Sequence, residues 1–291
     1  MKRRAFLLAA SAAAFVPGRS EGAGRFDRGL LWRVTGKAGA SHVYGTIHVG
    51  DPRLAQLPGA VTKAFGGARA LMLEFLPDSY SRERFLEAAM FQDGQTLEAK
   101  IGTDDFERAC RHMAVIGLSR EFVNKLKPWG VLLNLQNPKA AQGSPLDSQL
   151  LDLARGRRMP LAQIEGVEEQ IFTFDEFPMD SQIALLKHSL AHGAELAALA
   201  ERTLQAYLEA DLAGIWRLRR QFGARHPQIA PHQAILDKRV VHDRNVVMAF
   251  RMQRELRRGN AFIALGALHL YGTDGVLARL EADGYRATRL L

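Results

Sequence analysis

The stretch VYGTIHVGD, residues 43–51, ends an apolar, strand-like run on a glycine and places His48 three residues after it. A single Gly-x-x-His is a weak signal, because glycine is common and the two central positions are free. The chain repeats the arrangement near its other end, where the apolar run 261–265 leads into Gly266-Ala-Leu-His269. The repeat therefore predicts two structural units of the same kind, one near each end of the chain.

The same order of predicted elements surrounds each motif: a strand, the Gly-x-x-His motif, a helix and a second strand. In the first half, hydrophobic periodicity predicts strands at 30–35 and 41–44, a helix at 57–65 and a buried strand at 70–75. In the second half it predicts a strand at 261–265, a helix at 276–282 and a strand at 285–290. We therefore predict an α/β fold whose central sheet is built from the amino- and carboxy-terminal halves.

A long segment separates the two halves. Residues 81–257 have mostly helical periodicity, interrupted by one short predicted strand at 160–164. The loop 137–145 is a clear break in this segment, but it has neither the length nor the composition of a flexible linker. We predict one α/β domain over residues 24–291, with a largely helical insertion at about 81–257.

The first 23 residues have the organisation of a signal peptide. Basic residues at 2–4 precede an apolar stretch at 5–16, which is too short for a stable membrane span. The paired arginines also fit a twin-arginine signal, and the general secretory route stays equally open. We expect an exported protein, periplasmic or extracellular.

Charge and motif content exclude several classes of function. The formal net charge of +8 belongs partly to the leader, and the remaining arginines are scattered without interleaved aromatic residues. Such a pattern is typical of solvated helix faces, so we expect no nucleic-acid partner. The sequence has no P-loop, Gly-x-Gly-x-x-Gly or Gly-x-Ser-x-Gly motif, which argues against nucleotide, dinucleotide and serine-hydrolase sites.

Both motif histidines are expected just beyond the carboxyl ends of strands, where open α/β sheets bind ligands. If the two halves pair in one sheet, His48 and His269 face a single crevice, where they hold a divalent metal ion or one of them acts as a general base. Glu74 ends an apolar strand, a poor place for an unpaired carboxylate, and is predicted at the same crevice. The alternative for each of these residues is a packing or solvent-exposed role.

Two further polar features are less informative. Arg244-Asn245 is a polar pair within an apolar helical stretch, and a surface ion pair with Asp243 explains the arginine equally well. His188 and His192 have i, i+4 spacing on one predicted helix face, but they lack the glutamate of His-Glu-x-x-His. The sequence therefore gives little support for metal binding by that pair.

An ordered series of motifs resembles the TraB/GumN family from Leu31 to the carboxyl terminus. The matching residues are Gly45-Thr-Ile-His48-Val-Gly-Asp51, Leu73-Glu74, Lys127-Pro-Trp129, Leu146-Asp147-Ser-Gln-Leu150, Ile164-Glu165, Glu168-Glu-Gln-Ile171, Arg244-Asn245 and Gly266-Ala-Leu-His269-Leu-Tyr-Gly272. The family includes the Tiki proteins, described as metal-dependent proteases with two Gly-x-x-His motifs and a glutamate as the proposed active site. It is also placed near the erythromycin-esterase and ChaN-like folds.

The resemblance implies that His48, His269 and Glu74 form the site, with Arg244 as a fourth member. The chain departs from the family pattern at two places. Pro-Leu-Asp147 stands where Gly-Ile-Asp is usual, and Ile-Glu165-Gly stands where Leu-Glu-Thr is usual. These departures leave the roles of Asp147 and Glu165 open.

We therefore hypothesise an exported metal-dependent hydrolase that acts on a peptide. His48 and His269 bind the divalent ion, Glu74 deprotonates bound water or completes the ligand set, and Arg244 stabilises developing oxyanion charge. One alternative is a metal-free, esterase-like hydrolase in which a histidine and Glu74 activate water. Another is an extracytoplasmic protein that binds a peptide or a metal without turnover. The expected partner of an enzyme is a peptide or small-molecule substrate. The ion, the substrate and the oligomeric state stay open.

Overall fold

A six-stranded mixed sheet is the centre of the computed structural model, which describes residues 24–135 and 143–291. Its strands are β1 (Leu31–Gly36), β2 (Gly39–Thr46), β3 (Ala70–Leu73), β4 (Leu161–Gln163), β5 (Ala261–Gly266) and β6 (Arg286–Arg289). The strand order is β4-β3-β5-β2-β1-β6, and only β1 runs opposite to the others. The mixed α/β fold predicted from the sequence is confirmed.

The two halves meet at β2 and β5, which pair in parallel with Gly45 opposite Leu265 and Thr46 opposite Gly266. The chain leaves β2 towards β3 and leaves β5 towards β6, so the two connections run in opposite directions along the sheet. A crevice forms beyond the carboxyl ends of two strands whose connections diverge in this way. Both Gly-x-x-His motifs therefore open onto the same edge of the sheet.

Close packing explains the glycine of the first motif. A Cβ atom at Gly45 would lie 2.8 Å from Leu270 Cδ1 and 3.0 Å from Ala267 Cα. The turn of the second motif, residues 267–270, thus packs directly on the backbone of β2. Only glycine permits this approach without a shift of the turn.

Helices cover the sheet and form a second layer. In the described residues they are α1 (Gly59–Gly66), α2 (Ser79–Ala88), α3 (Leu97–Ile101), α4 (Thr103–Ala114), α5 (Arg120–Lys125), α6 (Pro128–Leu135), α7 (Leu146–Gly156), α8 (Val167–Asp175), α9 (Met179–Ala191), α10 (Gly193–Leu208), α11 (Leu212–Arg225), α12 (Ala230–Asp237), α13 (Asp243–Leu256) and α14 (Val276–Ala282). A π-helical turn, Lys238–His242, joins α12 to α13. None of the helices in these ranges is long and apolar enough to cross a membrane.

Two main apolar clusters stabilise these layers. The larger surrounds the sheet, and its central strand β5 is fully buried from Ala261 to Leu265. The second lies within the helical segment around Trp129 and Phe106, and the ring of Trp129 stacks on that of Phe174. The helical segment thus has an apolar core of its own beside the sheet.

One strand of the sheet comes from the insertion. The sequence predicts a short strand at 160–164, and the structure pairs it in parallel with β3 at the edge of the sheet. The predicted signal peptide lies outside the described residues, as does most of the loop 137–145.

The packing at Gly45 gives a stability prediction. Gly45→Ala should lower the free energy of unfolding by about 1–3 kcal/mol, the usual effect of overpacking, because the new methyl group meets the backbone of Ala267. Gly59→Ala is the matched control, since nothing lies within 4 Å of the added Cβ. Urea denaturation of both variants measures the difference. Equal stability of the two variants would contradict the account of the packing.

Candidate functional site

His48, His269 and Glu74 surround one point at the end of β5. A Cβ atom placed at Gly266 would lie 3.2 Å from Glu74 Oε1, 3.5 Å from His269 Cδ2 and 3.7 Å from His48 Nε2. The structure thus brings together the three side chains that the sequence predicts at one crevice. The second motif glycine is needed here, because any larger residue would crowd the carboxylate.

Glu74 follows β3 directly and is buried. Its Oε1 atom accepts a hydrogen bond from the backbone N–H of Gly266 and lies 3.8 Å from His269 Nε2. Its Oε2 atom accepts a hydrogen bond of 2.5 Å from Arg244 Nη2. Burial alone would raise the pKa of Glu74, but His269, Arg244, His48 and the Gly266 N–H together lower that pKa to about 2. Glu74 is therefore a stable anion and a weak proton acceptor.

Arg244 bridges two buried carboxylates. Besides Glu74, it contacts Glu165, with Nη2 2.6 Å from Oε2 and Nε 3.0 Å from Oε1. Burial opposes the charge of Arg244, but both carboxylates raise its pKa. The surface ion pair considered from the sequence does not form, since Asp243 pairs with Lys238 instead. The formal charge of the three groups is −1.

Pairing between β3 and the segment after β4 places the two carboxylates side by side. The backbone N–H of Glu165 donates to the carbonyl oxygen of Glu74 over 2.9 Å. Arg244 comes from the first turn of α13, after the π-helical turn, and its Nη1 atom donates to the carbonyl of Val240 within that turn. Isolated π-helical turns often occur at functional sites, where they redirect side chains.

His269 is buried in the turn after β5. Its Nδ1 atom lies 2.7 Å from Asn245 Oδ1, and Asn245 Nδ2 donates to the carbonyl of Asp274. This network assigns the proton to Nδ1 and leaves the Nε2 lone pair towards Glu74. Burial is the largest influence and lowers the pKa of His269 to about 4 against the opposing charge of Glu74, so the imidazole is neutral at physiological pH.

His48 is the accessible member of the site, with 60% of its side-chain area exposed. Its Nδ1 atom lies 2.8 Å from Asp147 Oδ2, and Thr46 Oγ1 donates to Asp147 Oδ1 over 2.9 Å. Partial burial opposes protonation, but the hydrogen bond and charge of Asp147, with the charge of Glu74, raise the pKa of His48 to about 9. Asp147 thus orients the ring with Nε2 in the crevice.

The residues that orient the side chains of the site could not be identified from the sequence. The roles of Asp147 and Glu165 were open, and the structure places these residues against His48 and Arg244. Asn245 was noticed only as the neighbour of Arg244, yet its side chain fixes the orientation of His269. The motif series contained all three residues, but their partners depend on contacts between distant segments.

A cavity of about 400 Å³ adjoins the crevice. Its lining includes Ile47 and Leu268, the residues directly before the two motif histidines, and continues along Leu196 and Phe222 to His188 in the helical layer. Most of the lining side chains are apolar. The cavity is suited to an apolar part of a ligand that reaches the crevice.

Comparison with known proteins identifies relatives over most of the chain. A sequence model of the TraB/PrgY/gumN family matches residues 30–289. The uncharacterized protein YbaP of Shigella flexneri is 28% identical over 242 residues, which are 80% of this chain and 84% of that protein. YbaP of Escherichia coli (strain K12) is 27% identical over 241 residues, 79% of this chain and 84% of its own. No solved structure matches the chain significantly.

The bridging arginine gives a second stability prediction. Arg244→Met should lower the free energy of unfolding by about 3–5 kcal/mol, because it leaves two buried carboxylates without their cation. Arg254→Met on the same helix is the control, since 78% of that side chain is exposed, and its effect should stay within about 0.5 kcal/mol. Thermal and chemical denaturation measure both values. Similar losses in the two variants would contradict the role of the bridge.

Proposed function

Because the chain belongs to the TraB/PrgY/gumN family, we propose that it is an exported metal-dependent hydrolase that acts on a peptide at the crevice of His48, His269 and Glu74. The observation that carries the proposal is the state of the two imidazoles. Each has its Nδ1 atom held by an oxygen acceptor, Asp147 for His48 and Asn245 for His269, while Nε2 faces the crevice. His269 is neutral, whereas His48, whose pKa is raised to about 9, would release its Nε2 proton when an ion binds. Metal-binding histidines typically have this outer hydrogen bond.

The donor set fits a divalent ion such as Zn²⁺, for which two imidazoles and a carboxylate are common ligands. Glu74, Glu165 and Arg244 together have a formal charge of −1, which would favour a cation once His48 has lost its proton. In the described residues, the ligand atoms of His48, His269 and Glu74 do not all lie within 4.8 Å of one another. Binding by all three therefore requires an inward shift, which is easiest for the accessible His48.

The roles that we propose for Glu74 and Arg244 follow from their contacts. Arg244 and the Gly266 N–H hold the Glu74 carboxylate in its ionised form with Oε1 3.8 Å from His269 Nε2, so we assign Glu74 the role of an anionic ligand. Arg244 is bound to two carboxylates and positions Glu74, which leaves it little freedom to contact an oxyanion. When bound, a divalent ion in this site would lower the pKa of a water molecule and polarise the scissile carbonyl group.

The adjoining cavity supports a preference for apolar substrates. Its lining includes Ile47 and Leu268, the neighbours of the two motif histidines in sequence, so an apolar side chain of a bound peptide would have space there. Export is supported by the signal-peptide pattern of the first 23 residues. The likeness to erythromycin-esterase and ChaN-like folds stays a prediction.

A metal-free hydrolase is the second candidate. The observation that favours it is the pair of His48 and Asp147, whose separation of 2.8 Å is that of a base and the residue that orients it. Because the pKa of His48 is raised to about 9, the ring would act as a base mainly at alkaline pH. A chelator distinguishes the two candidates, because only the metal-dependent reaction loses activity.

Metal analysis combined with a peptide-library cleavage assay tests the proposal. Purified mature protein should contain a divalent ion and cleave preferentially beside large apolar residues. His48→Ala and His269→Ala should lower metal content and activity together, because the loss of one of two nitrogen ligands leaves too few donors to hold the ion. His232→Ala, which removes a partly buried histidine outside the crevice, should retain both. A metal-free protein that cleaves peptides and is indifferent to chelators would support the second candidate. Peptide binding without turnover by metal-loaded protein would support a binding function.

Glu74→Gln separates the two roles that the sequence allowed for this carboxylate. If Glu74 is a ligand, Glu74→Gln should lower metal content and activity together. If Glu74 is a general base, Glu74→Gln should retain the metal while the rate falls on the order of 10²- to 10⁴-fold. Metal content and kcat measured on the same preparation decide between the two, and circular dichroism controls for misfolding. Retention in Glu74→Gln of the ion that His48→Ala loses would overturn the ligand role.

A further inference from the structure

Three histidines meet in the helical layer, outside the crevice. His188 lies near the end of α9, His192 follows that helix, and His226 follows α11. The ring centroids of His188 and His192 are 4.0 Å apart, and that of His226 is 4.4 Å and 5.0 Å from them. The sequence offered only the i, i+4 pair, with little support, and missed His226 because helix packing brings it in from a distant segment.

Hydrogen bonds fix the protons of two of these rings. His192 Nδ1 lies 2.9 Å from the carbonyl oxygen of His188, which can only accept, so Nδ1 carries the proton and Nε2 keeps a lone pair. His226 Nε2 lies 2.9 Å from Glu195 Oε2, which leaves the lone pair on Nδ1. Arg225 also pairs with Glu195 and holds it in place. Both rings thus have the outer hydrogen bond that is typical of metal ligands.

His188 has an unsatisfied nitrogen. Only 7% of the residue is exposed, and its Nε2 atom has no hydrogen-bond partner among the described residues. A buried polar atom without a partner is unfavourable and uncommon in native proteins. A bound cation would satisfy the lone pair of a neutral imidazole. Burial and the two neighbouring imidazoles lower the pKa of His188 to about 4, which is consistent with the neutral form.

We propose that His188, His192 and His226 form a second metal site, which binds a divalent transition-metal ion of the Zn²⁺ type. One ligand atom from each residue lies within 4.8 Å of the other two. A tetrahedral ion about 2.0–2.1 Å from each nitrogen requires nitrogen separations of about 3.4 Å, so the nitrogens need to approach by at most about 1.4 Å. The stacked rings of His188 and His192 must also rotate for their lone pairs to converge.

The ligand set defines the class of ion. Three imidazoles suit Zn²⁺, Ni²⁺ or Cu²⁺, whereas Ca²⁺ and Mg²⁺ prefer oxygen ligands. Because His188 lines the 400 Å³ cavity, water or a ligand within it can supply a fourth donor. The ion would tie the junction of α9 and α10 to the end of α11. None of the three histidines belongs to the crevice, so the inference does not rest on the proposed function.

Zinc titration of the chelator-stripped mature chain tests the inference. Isothermal titration calorimetry should show one fewer bound Zn²⁺ in His188→Gln and in His226→Gln than in the wild type. His232→Gln, a histidine bonded to Ser181 outside the cluster, should bind the wild-type number. Glu195→Gln should weaken this one site about 10- to 100-fold, the usual effect of losing an outer hydrogen bond. Ca²⁺ and Mg²⁺ should not compete.

The double variant His48→Ala/His269→Ala separates this site from the crevice. It should retain the Zn²⁺ that His188→Gln loses, whether or not the crevice also binds an ion. Zn²⁺ should raise the melting temperature of the double variant, and X-ray absorption of its complex should show histidine nitrogens around the ion. Unchanged Zn²⁺ number and affinity in folded His188→Gln and His226→Gln would overturn the inference. Loss of all Zn²⁺ binding in the double variant would overturn it as well.

Discussion

The contact of Arg244 with Glu74 and Glu165 is the interaction on which the rest of the site depends. The two carboxylates end neighbouring strands and are buried, so each needs a cation or several donors to remain there. Arg244 supplies that cation from α13 and thereby ties the helical layer to the sheet edge. Removing it would leave both carboxylates unpaired, whereas removing one carboxylate would still leave an ion pair.

The geometry of the crevice follows from this bridge. With Oε2 of Glu74 held by Arg244, Oε1 is directed at the Gly266 N–H and towards His269. The missing Cβ of Gly266 leaves the space in which the two imidazoles and the carboxylate approach one another. Oxygen acceptors on α7 and α13 then set the orientation of His48 and His269. The site is thus assembled from four distant segments around one glycine and one arginine.

The sequence predicted individual strands and helices, because these depend on short-range patterns of residues. Apolar runs that end on glycine gave β2 and β5, and their parallel pairing brought His48 and His269 together as expected. The strand at 160–164 was predicted but its pairing with β3 was not, because a local pattern does not show which distant strand is the partner. Side-chain partners such as Asn245 and His226 were also missed, since they depend on how helices pack. Sequence periodicity does not show which helices pack together or which side chains meet as a result.

Anomalous diffraction at the zinc absorption edge tests the central claim most directly. Crystals of the mature chain grown with Zn²⁺ should show an anomalous peak about 2.0–2.1 Å from Nε2 of both His48 and His269, beside the carboxylate of Glu74. The peak should disappear from crystals of His269→Ala. Full-occupancy zinc elsewhere in the protein, with no peak between the two motif histidines at saturating Zn²⁺, would contradict the account of the crevice as a metal site.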